Sequence, residues 1–151
     1  MVNHFLVNDY EVHIISRDTT NLSSLENLIN KINIHTHDGT TENLFNIVKD
    51  SKPHLVVHLA AAFSNNTHKY HNVDNIIKSN ILFGVQLVQS MIMNNVKKLI
   101  NTGTSWQHYN SDDYNPICLY SSSKQAFSDI LKYYVEAFEL EVITLKLYHT
   151  Y

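Results

Sequence analysis

Tyr120 and Lys124 offer the clearest chemistry in this sequence. Residues four positions apart share one face of a helix, so a phenol and an ammonium at this spacing can lie close together. A free phenol has a pKa near ~10, and a neighbouring ammonium favours the phenolate and lowers that pKa. Such a phenol can exchange a proton with a substrate oxygen while hydride moves at the adjacent carbon. The same spacing is common on helix surfaces that have no function, so the interpretation depends on the surrounding segments.

Ser105 is the second candidate, because it follows the apolar segment 97–102 and the residues Thr102-Gly103-Thr104. A hydroxyl that hydrogen-bonds the same substrate oxygen would stabilise the charge that develops there. Ligands of parallel α/β sheets bind beyond the carboxyl ends of the strands, which is where this serine would lie. A strand ending near Ser105, followed by a helix beginning near Tyr120, favours a functional interpretation over a surface pair.

Short β-like runs alternate with longer segments of helical periodicity along the whole chain. Strands separated by helices predict a parallel sheet with helices on both faces. We therefore expect a doubly wound, Rossmann-like α/β fold with three α/β/α layers, incomplete at both ends. The predicted strands are 11–16, 32–36, 54–59, 97–102 and 141–147, and the predicted helices are 22–32, 41–51, 70–93 and 119–138, after the end of a helix at 2–7.

Composition narrows the classes of protein that fit. The 151 residues suit one domain, and 44% hydrophobic with 17% charged residues is ordinary for a globular protein. A formal net charge of −3 and scattered basic residues do not favour nucleic acid as a partner. No apolar run approaches the ~20 residues of a membrane span. The single cysteine, Cys118, fits a reducing compartment, so we expect a cytoplasmic protein.

The ten histidines raise the question of a metal site. His35 and His37 alternate at a strand end, and His68 and His71 are three residues apart. Neither pair has carboxylate or cysteine companions at zinc spacing, so no metal is predicted. His58 is interpreted as a packed turn residue rather than as a ligand.

Several segments, taken in order, resemble the extended short-chain dehydrogenase/reductase family of NAD(P)-dependent nucleotide-sugar epimerases, dehydratases and reductases. His58-Leu59-Ala60-Ala61 resembles the turn after the fourth strand, which lies beside the cofactor. Asn80, with Gly84 after it, resembles the helix motif whose Asn supports the active site. Thr102-Gly103-Thr104-Ser105 resembles the segment that carries the catalytic Ser or Thr. Tyr120 and Lys124 match the Y-x-x-x-K motif.

The resemblance implies catalytic roles for Ser105, Tyr120, Lys124 and Asn80. It implies an NAD(P) cofactor, a nucleotide-sugar substrate and, through the long helices, a homodimer. The short interval between Ser105 and Tyr120 looks most like CDP-linked deoxysugar synthases of the abequose or paratose type. Trp106 and Gln107 follow the serine where dehydratases add an acidic pair, which disfavours dehydration. The cofactor-binding residues that the resemblance implies are Arg17, Asp38, Gly39, Leu59, Ala60, Ala61, Thr102, Tyr120 and Lys124.

The end of the predicted strand 11–16 bears on which dinucleotide is bound. An acidic residue there favours NAD, whereas a basic residue accommodates the 2′-phosphate of NADP. Ser16 stands at about that position and the only arginine of the chain, Arg17, follows it, so we expect NADP rather than NAD. The alternative is that Arg17 is a solvated loop charge and that Asp18 takes the acidic role.

Two departures from the family pattern bear on activity. The chain contains no G-x-G-x-x-G loop, and the segment 148–151 resembles a turn that leads into a substrate-binding region. We therefore interpret residues 1–151 as a partial NAD(P)-binding domain without its substrate domain, and we expect weak cofactor binding and little catalysis from this chain alone. The alternative is a non-catalytic binding or regulatory protein on the same fold.

Overall fold

The computed structural model describes residues 1–64, 70–110 and 112–148 of the chain. Strands and helices alternate as the sequence predicts, and the architecture is an incomplete, Rossmann-like α/β fold. The strands are β1 (His13–Arg17), β2 (Asn33–His37), β3 (Val56–His58), β4 (Lys98–Thr104) and β5 (Glu141–Leu147). The α-helices are α1 (Val2–Val7), α2 (Thr41–Ser51), α3 (Tyr70–Ile77), α4 (Phe83–Met93) and α5 (Leu119–Phe138).

The described strands form two parallel sheets, where the pattern predicts one. β1 pairs with β2, and β4 lies between β3 and β5 in the second sheet. In the doubly wound order 3-2-1-4-5-6, the strand that precedes the glycine-rich loop lies in the middle of the sheet. The described residues contain neither that strand nor that loop. Within them, β1 and β3 therefore each keep one unpaired edge.

One hydrophobic core lies between the sheets and the helices α2, α4 and α5. Ile15 of β1 and Val56 of β3 both pack against it, so one helical layer covers both sheets. The opposite side of the second sheet is open, since Ile143 of β5 is 63% exposed. The buried members of the core are Leu44, Val48, Leu87, Val88, Met91, Val96, Leu99, Phe127, Leu131, Tyr134 and Leu140.

Two predicted elements differ from the structure. The segment 22–32, predicted as an α-helix, is a 3-10 helix at Ser23–Lys31 with no buried residue. Helical stability comes mainly from burial of an apolar face, and the apolar residues Leu25 and Leu28 of this segment are only partly buried. The predicted strand 54–59 is reduced to Val56–His58, which pairs on one side only.

The predicted helix 70–93 is continuous but contains a π-helical turn, Lys78–Leu82, between α3 and α4. Asn72–Met93 is also long and apolar enough to cross a membrane, with a mean hydropathy of 1.3, which corrects the expectation that no run approaches that length. In this fold Leu87 and Met91 are buried in the core, and α4 packs against α2 and α5. We interpret the segment as a core helix.

Candidate functional site

Helix α5 begins at the residue that the sequence predicts and carries Tyr120 and Lys124 in its first turns. Ser121 fixes this start, because its Oγ accepts the backbone N–H of Cys118 at 3.2 Å and donates to the carbonyl of Cys118 at 2.9 Å. Tyr120 is half-buried, whereas Lys124 is only 2% exposed. The candidate proton-transfer pair therefore lies on the inner side of a well-defined helix.

Burial dominates the electrostatics of this pair. Burial raises the pKa of Tyr120, and the adjacent Cys118 raises it further. Burial also lowers the pKa of Lys124, to about 8. The prediction that Lys124 lowers the pKa of Tyr120 is therefore wrong for the chain as it stands, because removing the phenol from water disfavours the phenolate.

Asn80 joins the loop after β3 to helix α5. It lies in the π-helical turn and is 1% exposed. Its Oδ1 accepts the N–H of Ala62 at 2.6 Å, and its Nδ2 donates to the carbonyl of Ala62 at 3.0 Å and to Ser123 Oγ at 2.9 Å. Ser123 Oγ in turn donates to the carbonyl of Tyr120 at 2.7 Å. Single π-helical turns are frequent at functional sites, and this one carries the residue that connects two parts of the candidate site.

Ser105 directly follows β4 and begins a one-turn 3-10 helix, Ser105–Gln107. Thr104 caps this turn, since its Oγ1 accepts the N–H of Trp106 at 3.3 Å. Ser105 and Trp106 line a cavity of about 490 Å³ together with Tyr109. The serine thus directly follows the carboxyl end of a strand, as its sequence position predicts, and the cavity beside it is not lined by Tyr120.

Phe63 connects the serine turn with Tyr120 and was not predicted from the sequence. Its ring centroid lies 5.3 Å from that of Tyr120, nearly perpendicular to it, and 5.7 Å from that of Trp106. Phe63 is nevertheless 49% exposed. The available signal was its position two residues after the Leu59-Ala60-Ala61 turn. Trp106 both lines the cavity and packs against Phe63.

Most of the residues expected to bind the cofactor lie in or directly after the strands, whereas Tyr120 and Lys124 lie on α5. Arg17 ends β1 and is exposed, and residues 59–61 form an exposed loop after β3. Thr102 differs from these, because it is 7% exposed within β4 and its Oγ1 donates to the carbonyl of His58 at 3.0 Å. Exposed residues at the ends of the strands leave backbone groups accessible where parallel α/β sheets bind their ligands.

Asp38 and Gly39 form the turn between β2 and α2. Oδ1 of Asp38 accepts the N–H of Thr40 at 2.8 Å and its hydroxyl at 2.7 Å, and these bonds lower the pKa of the carboxyl. Gly39 has a φ of 96°, and its carbonyl accepts Nε2 of Gln86 at 3.1 Å. The turn is therefore held in place by hydrogen bonds from Thr40 and from Gln86 of α4, with Asp38 exposed at the surface.

His58 lies beneath the site as a packed residue. It is 2% exposed, and its ring lies against those of Phe83 and Phe127 at centroid distances of 5.7 and 5.3 Å. Burial, together with the charge of Lys124, lowers the pKa of His58 to about 4. The imidazole is therefore neutral at physiological pH.

The other histidines considered for metal binding have different neighbours. His35 Nε2 lies 2.9 Å from His13 Nδ1, and His37 Nδ1 lies 3.2 Å from Asn43 Oδ1. Residues 1–64, 70–110 and 112–148 bring together no group of three metal-binding side chains. His68 and the side chain of His71 lie outside the described residues.

Comparison with known proteins gives one family. The model of the NAD dependent epimerase/dehydratase family matches residues 1–151. A search of curated protein sequences finds no match.

Solved structures with the same fold include UDP-glucose 4-epimerase from Thermus thermophilus in complex with NAD, which is 22% identical with a TM-score of 0.82 over 96% of this chain and 49% of that chain. UDP-glucose 4-epimerase from Thermotoga maritima with UDP-glucose is 22% identical with a TM-score of 0.83, over 96% of this chain and 50% of that chain. The UDP-Glc/GlcNAc 4-epimerase from Campylobacter jejuni is 18% identical with a TM-score of 0.83, over 96% of this chain and 48% of that chain. The present chain thus spans about half the length of each of them.

Proposed function

Because this chain belongs to the NAD dependent epimerase/dehydratase family, we propose that it is the dinucleotide-binding part of an NAD(P)-dependent epimerase or reductase that acts on a nucleotide-sugar. The observation that carries the proposal is the hydrogen-bonded link from Ala62 through Asn80 and Ser123 to the backbone of Tyr120. This link holds the loop beside the expected cofactor against the helix that carries the candidate proton donor.

The chain's own residues supply proton transfer and orientation. A nicotinamide dinucleotide, when bound, supplies hydride chemistry. Tyr120 gives a proton to, or takes one from, the oxygen on the sugar carbon that changes oxidation state. The Ser105 hydroxyl donates a hydrogen bond to the same oxygen. Lys124, with a pKa of about 8, is mostly protonated at neutral pH and supplies a positive charge one helical turn after Tyr120.

The raised pKa of Tyr120 bears on how this proton transfer is controlled. In the chain alone the phenol stays protonated at neutral pH, which suits proton donation. Acting as a base requires additional positive charge near the phenol. If that positive charge is complete only when cofactor and substrate are bound, Tyr120 does not lose its proton in their absence.

The finer identity of the ligands is part of the proposal. NADP is expected because Arg17 lies exposed at the end of β1, where it can meet a 2′-phosphate. The solved relatives from Thermus thermophilus and Thermotoga maritima carry NAD and UDP-glucose, respectively, and these support NAD as the alternative and a nucleotide-sugar as the substrate class. A CDP-linked deoxysugar, a cytoplasmic location and a homodimer remain predictions from the sequence.

A non-catalytic binding protein on the same fold is the rival proposal. Both proposals explain a sheet without a glycine-rich loop. The enzyme proposal also explains why a phenol and an ammonium of the required types lie on α5 and why a carboxamide of the required type is hydrogen-bonded to that helix. A binding protein would not need Tyr120 to retain its hydroxyl.

Cofactor binding by two forms of the protein tests the proposal. One form is the chain itself, and the other is a fusion in which a designed strand, glycine-rich loop and helix of the dinucleotide-binding pattern precede Met1. NADH and NADPH are titrated by fluorescence into each form, after circular dichroism has shown that it is folded. We expect weak binding to the chain and clear binding to the fusion, because the loop supplies backbone donors for the pyrophosphate.

Each outcome has a stated meaning. Micromolar binding by the chain alone would refute the expected weak binding. A folded fusion that binds neither dinucleotide would refute the proposed function. In the fusion, Arg17→Ala should weaken NADPH binding more than NADH binding, and equal losses would rule out contact with the 2′-phosphate.

A further inference from the structure

A chain of side-chain amides connects the serine turn to helix α5. Gln107 is fully buried, and its Oε1 accepts the backbone N–H of Thr104 at 2.9 Å. Its Nε2 donates to Oε1 of Gln125 at 2.6 Å, and Nε2 of Gln125 donates to Oδ1 of Asp129 at 3.2 Å. Lys132 Nζ also donates to Oδ1 of Asp129, at 2.8 Å. Three consecutive hydrogen bonds thus run from the end of β4 to the surface of α5.

The direction of these hydrogen bonds is set at both ends. A side-chain amide can be turned either way, so its orientation follows from its partners. The backbone N–H of Thr104 can only donate, which requires the oxygen of Gln107 to face it. The Asp129 carboxylate can only accept, and its hydrogen bond with Lys132 lowers its pKa and keeps it ionised. Both glutamine amides therefore have one permitted orientation.

The connection lies where two parts of the candidate site meet. Gln107 ends the 3-10 turn that Ser105 begins, and Gln125 follows Lys124 on α5. Gly103 leaves the space for the Gln107 amide, because a Cβ at that position would lie 2.7 Å from its Oε1. The amide is thus enclosed and held without freedom to move.

We propose that Gln107 and Gln125 are positioning residues, whose directional hydrogen bonds set the place of the Ser105 hydroxyl relative to the Tyr120 phenol. This proposal rests on the proposed function, because the position of Ser105 relative to Tyr120 matters only if both groups act on the same substrate oxygen. The contact of Phe63 with both Tyr120 and Trp106 means that a shift of the serine turn also reaches the phenol ring.

The variant Gln107→Glu tests the direction of this series of hydrogen bonds, because its protonated and ionised carboxyl groups differ in their ability to donate. A protonated carboxyl can still accept from Thr104 and donate to Gln125, as the amide does. An ionised carboxylate cannot donate, so Gln125 must turn its amide, and its oxygen then faces the carboxylate of Asp129. Asp129→Asn removes that conflict, because an asparagine amide can donate to the turned Gln125. The double variant can therefore keep the hydrogen bond from Thr104 and form the other two hydrogen bonds in the reverse direction.

The measurement is a pH titration by NMR of the Tyr120 ring and Ser105 amide signals, between about pH 5 and about pH 9. In Gln107→Glu, both signals should shift in a step with pH as the new carboxyl group ionises, whereas the wild-type signals should show no such step. Adding Asp129→Asn should move this step to lower pH and make it smaller. The control variant Gln86→Glu, on α4, should leave both signals unchanged relative to wild type.

The results that would overturn the proposal are as follows for each variant. A folded Gln107→Glu variant without a step in either signal, or an identical step in single and double variants, would overturn the proposal. If Gln107→Glu does not fold, Gln125→Met replaces it, since Gln125 is only partly buried. This variant should displace both signals from their wild-type positions at every pH, and unchanged signals would overturn the proposal. None of these signals depends on cofactor, so they can fail while the fusion binds NAD(P)H, or hold while it does not.

Discussion

Lowering the pH from about 7 to about 4 should destabilise the folded chain through His58. The ring is 2% exposed and packed against Phe83 and Phe127, and its pKa is lowered from 6.5 to about 4. Between those two values the unfolded chain binds a proton that the folded chain does not, so the free energy of unfolding falls as the pH falls. At about 1.36 kcal/mol per pKa unit, full passage through this interval removes roughly 3 kcal/mol.

Urea unfolding of wild type and His58→Gln at about pH 7 and about pH 4.5 measures this contribution. The variant keeps a neutral polar side chain at this position but cannot titrate, so acidification should cost it about 2 kcal/mol less than it costs the wild type. Carboxylates titrate equally in both proteins and cancel. His54→Gln, at an exposed histidine just before β3, is the matched control and should behave as the wild type. Equal pH dependence in wild type and His58→Gln would refute the argument from burial.

Three further changes test the packing and polar contacts around the site. Gly84→Ala should lower the free energy of unfolding by about 1–3 kcal/mol, because the new Cβ would lie 2.6 Å from the fully buried Phe127 ring; an unchanged urea midpoint would contradict that contact. Asn80→Leu should cost about 3 kcal/mol, because the N–H and carbonyl of Ala62 lose their partner, and faster amide exchange at Ala62 is the specific check. Raising the pH from about 8 to about 10 should stabilise the chain by about 2 kcal/mol, since the unfolded chain keeps a proton that Lys124, with its pKa lowered to about 8, releases when folded. Lys124→Met should abolish this rise in urea unfolding, and a rise of the same size in the variant would assign it to another group.

Short-range sequence patterns predicted the first and last residues of several helices correctly. Helix α2 spans Thr41–Ser51 and helix α5 spans Leu119–Phe138, as expected from apolar periodicity. Thr40 caps α2 by accepting the N–H of Asn43 at 3.1 Å, a hydrogen bond that involves only neighbouring residues. Ser105 and Tyr120 were found at a strand end and a helix start because those positions also depend on short-range patterns.

Features that depend on distant residues were not predictable in this way. The division into two sheets reflects which strands meet in space, and apolar patterns within single strands do not report that. The raised pKa of Tyr120 follows from its burial, which no spacing between Tyr120 and Lys124 reveals. The hydrogen bond between Asn80 and Ser123 joins residues 43 positions apart, and that between Gln107 and Gln125 joins residues 18 positions apart.

Helix α5 is the common support of the candidate catalytic groups. Three contacts reach it from separate segments of the chain: Asn80 to Ser123, Phe63 to Tyr120, and Gln107 to Gln125. All three lie within the described part of the chain and involve no group from β1 or β2. The expected dinucleotide contacts at Arg17 and Asp38 instead follow β1 and β2, which form a sheet separate from β3, β4 and β5. If this chain is less active than a complete enzyme, we therefore expect the loss in its affinity for the cofactor, while the arrangement of residues around Tyr120 stays intact. If the chain binds NAD(P)H weakly and the NMR signals of its Tyr120 ring are nevertheless well dispersed, both results agree with this expectation.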